Sequence, residues 1–200
     1  MPRTSLGPEI RKARLADVPA LAELIGGYAR RGVMLPRTEF ELAESVRDFT
    51  VAVDQGRFAG CGALHIYTAD SGEVRSLAVE PSRERRGVGR AIVEALEAEA
   101  REFGLRSLFA FTYVAEFFAK LGYRELDRAE LPLKAWKDCL RCPKFKACDE
   151  IAVRKWIADS PEIASITRAG GDSLYESLPR TTSFSVLPIV GPIPAIPRKN

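Results

Sequence analysis

Residues 79–100 read VEPSRERRGVGRAIVEALEAEA, and the fold turns on this stretch. A strand-like run, VRSLAV over residues 74–79, leads in, and Pro81 ends it. Arg83, Arg85, Arg86 and Arg90 crowd the turn, with Gly87 and Gly89 among them. Val88, Ile92, Leu96 and Phe103 then recur at helical spacing, which predicts a helix with one apolar face. A helix N-terminus carries free N–H groups and a partial positive charge. Glycines let phosphates approach those amides closely, and Arg85, Arg86 and Arg90 can add charge-assisted contacts. A plain turn with solvated arginines would account for an isolated Gly-x-Gly. Strand, arginines and amphipathic helix together favour a pyrophosphate cradle over residues 85–91. No Gly-Lys-Ser/Thr follows, so this is not a Walker loop, and Ile92 stands where a dinucleotide-binding turn would place its third glycine.

Working outward, EIRKAR (9–14) alternates weakly and reads as a first strand. DVPALAELIGGYARRG (17–32) reads as a helix, with Asp17 as its cap and Pro19 in its first turn. TEFELAESVRDF (38–49) opens on a Thr38/Glu41 capping box and reads as a second helix. FTVAVDQGRFAGCGALHIYT (49–68) reads as a hairpin turning at Asp54-Gln55-Gly56-Arg57. After the third helix come a buried strand, SLFAFTYV (107–114), and a short helix, AEFFAKLGY (115–123), stopped by Gly122. YRELDRAELPL (123–133) gives a last strand or turn. The order β-α-α-β-β-β-α-β-α-β predicts an α/β protein of the mixed, α+β kind. One domain is expected over residues 8–157, with a cysteine-bearing segment at 131–153. A Pro/Ser/Gly-rich tail, 158–200, is expected to be extended or disordered.

The chain has 200 residues, 46% hydrophobic and 28% charged, enough for a sizeable core. A formal net charge of +3 gives no electrostatic case for nucleic acid. No run reaches the apolar length of a membrane span and no signal peptide opens the chain, so a cytoplasmic protein is expected. The four cysteines read as thiols or metal ligands rather than disulfides. Cys139, Cys142 and Cys148 could hold zinc with Cys61, His65 or Asp149, but the half-pattern reads better as reduced thiols, and no metal is expected.

Glu84-Arg85-Arg86-Gly87-Val88-Gly89 resembles the acetyl-coenzyme A loop of the GNAT superfamily of N-acetyltransferases, Gln/Arg-x-x-Gly-x-Gly/Ala, although Glu84 departs from its first position. FFAKLGY (117–123) is similar to that family's Phe-Tyr-x-Lys-x-Gly-Phe close. GVMLPRTEFELAESVRDF (32–49), CGALHIY (61–67), GEVRSLAVEP (72–81) and the cysteine segment resemble the short bacterial N-acetylglutamate synthases, which are amino-acid acetyltransferases. The resemblance covers about residues 10–153. It implies a GNAT fold: a mixed, mostly antiparallel, splayed sheet flanked by helices.

It also implies an enzyme that uses acetyl-CoA, with L-glutamate as acceptor. Amine attack on a thioester needs a base. Glu73, at the head of VRSLAV, stands where these enzymes often keep a catalytic glutamate. The resemblance gives Leu77, Ala78 and Val79 backbone N–H groups for the oxyanion. It places Arg85, Arg86, Gly87, Val88, Gly89, Arg90 and Phe117 at the coenzyme. The usual tyrosine proton donor is replaced by Phe118, leaving water or Tyr113. Arginine forks suit the two carboxylates of glutamate, and Arg37, Arg75 and Arg11 are the candidates. A homodimer is compatible with this reading. Its rivals are an acetyltransferase for another amine and a non-catalytic CoA-binding sensor.

Overall fold

The computed structural model describes residues 7–131, 142, 144 and 147–158. The tail from residue 159 on, and Cys139, lie outside the described residues. Seven strands form one sheet: β1 (Glu9–Lys12), β2 (Phe49–Asp54), β3 (Arg57–Ile66), β4 (Ser71–Val79), β5 (Ser107–Thr112), β6 (Arg124–Glu125) and β7 (Ile151–Trp156). Their order across the sheet is β1-β2-β3-β4-β5-β7-β6. Every neighbouring pair is antiparallel except β4 and β5. Those two run parallel because the helix α3 (Val88–Glu102) carries the chain back between them. The other helices are α1 (Val18–Arg30), α2 (Glu39–Glu44) and α4 (Ala115–Ala119).

Strand alternation sorts the core into two layers. Leu64, Val74 and Leu108 face α3 and pack with Ile92, Val93 and Leu96. Val51, Cys61 and Ala63 face the other way, onto Leu21, Leu24 and Ile25 of α1 and Leu42 of α2. The Thr38/Glu41 capping box forms, with the Glu41 N–H donating to Thr38 Oγ1 at 3.2 Å and the Thr38 N–H to Glu41 Oε2 at 2.9 Å.

Several expectations are corrected. The second helix ends at Glu44, and Val46–Asp48 tightens into a 3-10 turn that delivers Phe49 to β2. Asp17 does not cap α1. Its carboxylate instead accepts the Arg14 N–H at 2.7 Å and both Arg11 Nη groups at 2.7 and 2.9 Å. Phe103 falls just past the last turn of α3 and is 60% exposed, off the apolar face. The strand expected over 107–114 stops at Thr112, whose hydroxyl takes the Val114 N–H at 3.0 Å and turns the chain. The largest omission is β7, which inserts between β5 and β6; its first half, Ile151–Val153, falls in the segment expected to carry cysteines and no strand.

The sheet is split. β4 has nine residues and β5 six, yet they pair only at Ser71–Ser107, Gly72–Leu108 and Glu73–Phe109. Beyond Glu73 the strands part. The register of β4 on β3 slips by one residue between Ala63–Arg75 and Cys61–Ala78. Ser76, inside that bulge, has a left-handed φ of 52°. An extra residue bends a strand and sharpens its twist, which turns β4 away from β5.

Candidate active site

The open end of the split lies under the N-terminus of α3. Gly87, at φ 83°, is the residue before the helix, and no side chain caps it. The first-turn N–H groups of Val88, Gly89 and Arg90 therefore have no capping side chain. Arg85 is also left-handed, at φ 59°. Left-handed residues spaced along a turn converge successive N–H groups into an anion-binding concavity. Arg85, Arg86 and Arg90 are exposed around it. Arg90 makes a loose pair with Glu94 at 3.5 Å, whereas Arg83 is committed to Asp54. A Cβ on Gly87 would meet nothing within 4 Å, so the space over the turn is open. A Cβ on Gly89 would touch Phe117 at 3.4 Å and Val79 at 3.5 Å. Phe117, on α4, thus closes over the cradle from the far arm of the sheet.

Leu77, Ala78 and Val79 lie on the part of β4 that has left β5. Tyr28 of α1 steadies the end of that strand. Its hydroxyl donates to the Val79 carbonyl at 2.7 Å and lies 3.1 Å from Glu84 Oε1. Burial, and then Glu84, raise the tyrosine above its ordinary pKa, so it stays a donor. Nothing in the sequence pattern marks Tyr28, since the contact spans 51 positions.

Glu73 is 2% exposed at the closed end of the split, on the face away from α3. One cross-strand row runs through it: His65 on β3, Glu73, Phe109 on β5 and Arg154 on β7. Arg75 lies two residues along β4 on the same face. Asp48 joins it to the row, with His65 Nδ1 at 3.2 Å and Arg75 Nη2 at 3.7 Å from the same Asp48 oxygen. Arg37 is half-buried on the connection from α1 to α2, the helices that cover this face. Beside Phe109 opens a cavity of about 340 Å³, lined by Tyr67, Phe109, Arg106, Leu131, Arg154 and Trp156. Arg154 faces Glu130 at 3.6 Å. Arg11 stands apart, with its fork closed on Asp17 at the outer strand. Asp48 and Arg154 were missed by sequence reasoning: one hides in the 3-10 turn, the other on the unforeseen β7.

Phe118 is 3% exposed and packs edge-on against Tyr123 at 5.1 Å, a core ring with no proton to give. Tyr113 is engaged with Asp149 at 2.8 Å and Lys144 at 3.0 Å. Cys61 is buried beneath the β4 bulge, its thiol 3.6 Å from the Ser76 carbonyl, and burial pushes its pKa up to about 12. Cys142 and Cys148 are free thiols, and Cys148 lies 3.8 Å from Glu150. Among the described residues no group of three metal-ligating side chains forms. None of the helices described is long and apolar enough to cross a membrane.

The profile of the Acetyltransferase (GNAT) family matches residues 22–123, which takes in the cradle, the bulged β4 and α4. The chain is 43% identical to an uncharacterised N-acetyltransferase of Chlorobaculum tepidum, over 73% of this chain and 94% of that one. It is 36% identical to the amino-acid acetyltransferase of Mycobacterium tuberculosis, over 67% of this chain and 78% of that one. In structure it resembles an N-acetylglutamate synthase from Neisseria gonorrhoeae solved with coenzyme A and N-acetyl-glutamate. The TM-score is 0.70 at 27% identity, over 78% of this chain but only 36% of the synthase. Bulged and parted β4, uncapped glycine turn and sequence kinship agree: the chain belongs to the GNAT family and is an acetyl-CoA-dependent N-acetyltransferase related to the amino-acid acetyltransferases.

Proposed function

We propose that the enzyme acetylates the α-amine of L-glutamate, the first step of arginine biosynthesis. The observation that carries this reading is the row His65–Glu73–Phe109–Arg154, which sets a buried carboxylate and a cation on one face, two strands apart. At ~4.8 Å per strand that spacing is about 10 Å, with the ring of Phe109 as the floor between them. A dicarboxylate needs two fixed cations. Arg11 is closed on Asp17 at the outer strand. Arg75, on the face of Glu73, Arg37, on the connection between α1 and α2, and Arg154, at the end of the row, are the cations from which the pair is drawn, and we take Arg37 and Arg154. The Neisseria synthase, which carries coenzyme A and N-acetyl-glutamate, supports the choice of acceptor.

In this mechanism the cradle holds the pyrophosphate, and the coenzyme arm lies in the gap between β4 and β5. Glu73 removes a proton from the substrate ammonium, directly or through water. The amine lone pair then forms the C–N bond at the thioester carbon. Along Leu77–Val79 the N–H groups alternate in direction, and those of Leu77 and Val79, opposite in sense to the Glu80 N–H that bonds β3, receive the oxyanion. Its collapse breaks the C–S bond as the nitrogen gives up its second proton to water, and the CoA thiolate takes its proton from water, since Phe118 has none to give. The catalytic unit would span 8–157, work in the cytoplasm and allow a homodimer. Thiol release from acetyl-CoA across a panel of amines tests this. Glutamate should give the highest kcat/KM; preference for a neutral amine rejects the acceptor, and no turnover with any amine leaves a CoA-binding sensor.

A further inference from the structure

Helix α3 lies across the back of the split sheet. It packs on β1 to β4, the near arm, shares an apolar cluster with Leu108, Ala110 and Val153 of the far arm, and adds directional polar ties to that arm. Glu97 is 4% exposed, and its carboxylate lies 2.8 and 2.7 Å from Lys155 Nζ on β7. Arg101 approaches Glu97 at 3.4 Å and donates to the Ile157 carbonyl at 3.2 Å. Lys155 stands opposite Leu108, one residue before Phe109, where β4 and β5 last pair. The ion pair therefore sits directly behind the point where the arms separate. Its aliphatic stem passes over Gly122, with Lys155 Cε 3.6 Å from where a Cβ would be. A buried ion pair is costly to desolvate, and apolar side chains of similar size often replace it without loss of stability. What it offers beyond packing is a fixed distance and direction.

We propose that Glu97 and Lys155 are positioning residues that set the width of the β4–β5 gap and so restrict the acyl group the gap accepts. The inference rests on the donor site proposed above. One methylene in a fitted apolar slot discriminates by roughly 10–200-fold. A gap held by a strut should show such discrimination, and a gap released from it should not.

The test compares wild type with the double variant Glu97→Met/Lys155→Met, titrated calorimetrically with CoA, acetyl-CoA and propionyl-CoA. Wild type should prefer acetyl-CoA over propionyl-CoA by about tenfold or more, and the variant should lose most of that preference while binding CoA to within about twofold. Glu97→Met alone, which removes the buried carboxylate and leaves the partly exposed Lys155 to reach solvent, serves if the double variant does not fold. An unchanged preference in a folded variant overturns the proposal, as does a wild type with no preference. A parallel loss for all three ligands, or loss of fold in both variants, makes the pair a plain stability element and overturns it too. Failure of the donor site itself reads differently: coenzyme affinity would then survive Gly87→Asp.

Discussion

The cradle and the Glu73 face share β4, yet they are built from different parts of the polypeptide. The cradle comes from contiguous residues, and its chemistry is that of the backbone: an uncapped helix start and two left-handed turns. Its arginine side chains are exposed, while Val88 anchors the turn in the core. The Glu73 face draws Arg37, Asp48, His65, Glu73, Phe109 and Arg154 from separate segments, and its chemistry is carried by half-buried or buried side chains. A ligand common to a whole family can be held by backbone, which sequence drift leaves alone. A ligand particular to one enzyme has to be held by side chains, which drift can retune.

That contrast can be broken by substitution. The largest effect is expected at the base. Glu73→Gln should lower kcat by ~10²–10⁴-fold near neutral pH and less at high pH, where the free amine is abundant. An unchanged pH–rate profile removes Glu73 from the mechanism. Next is Gly87→Asp, which forces a side chain onto a left-handed residue and puts negative charge at the phosphate site. Weakening of acetyl-CoA binding by roughly two to four decades is expected, about the loss of two charge-assisted bonds at 1.5–3 kcal/mol each. Gly89→Ala adds only ordinary contacts with Phe117 and Val79 and should bind coenzyme nearly as wild type does. Equal damage from both would show that bulk, not backbone geometry, governs the turn.

On the other face, Arg37→Ala and Arg154→Ala should each cost about one to two decades in kcat/KM for glutamate, with acetyl-CoA affinity unchanged. Lysine should rescue poorly at either position, because a point charge does not reproduce the fork. Normal glutamate kinetics in both alanine variants sinks the dicarboxylate reading.

The smallest effect tests a pair outside both regions. The Arg11 guanidinium, hydrogen-bonded to Asp17, holds that carboxyl below its usual range. A depressed folded pKa adds stability above the unfolded value, ~3.9, and loses it as pH falls through the lower folded value. Asp17→Asn should therefore cost about 1 kcal/mol at pH 7, and the difference should vanish in acid. Turnover should not change. A matched denaturation series at pH 7 and pH 2.5 reads it, and a deficit that persists in acid removes ionisation as its cause.

What could be read in advance followed the same divide. The glycine turn before α3, the Thr38 box and the Gly122 stop are local patterns, and the structure forms all three. β7 escaped because IAVRKW is a short run behind a cysteine-rich segment, and its partner β5 lies about forty positions upstream. With β7 went Arg154 and the far end of the row. Asp48 escaped because a 3-10 turn carries no periodic signature. Arg11 was over-read: its charge pattern says nothing of Asp17, whose carboxylate claims both ends of its fork.

The thiol under the bulge has a bearing on fidelity. Cys61 hydrogen-bonds the left-handed Ser76 on the strand assigned to the thioester, and its pKa stands at about 12. Burial thus favours the protonated thiol, and it is the thiolate that exchanges with thioesters. At 0% exposure the sulfur is enclosed by the core under α1 and α2, so burial keeps its proton on and keeps reactive acyl donors away from it.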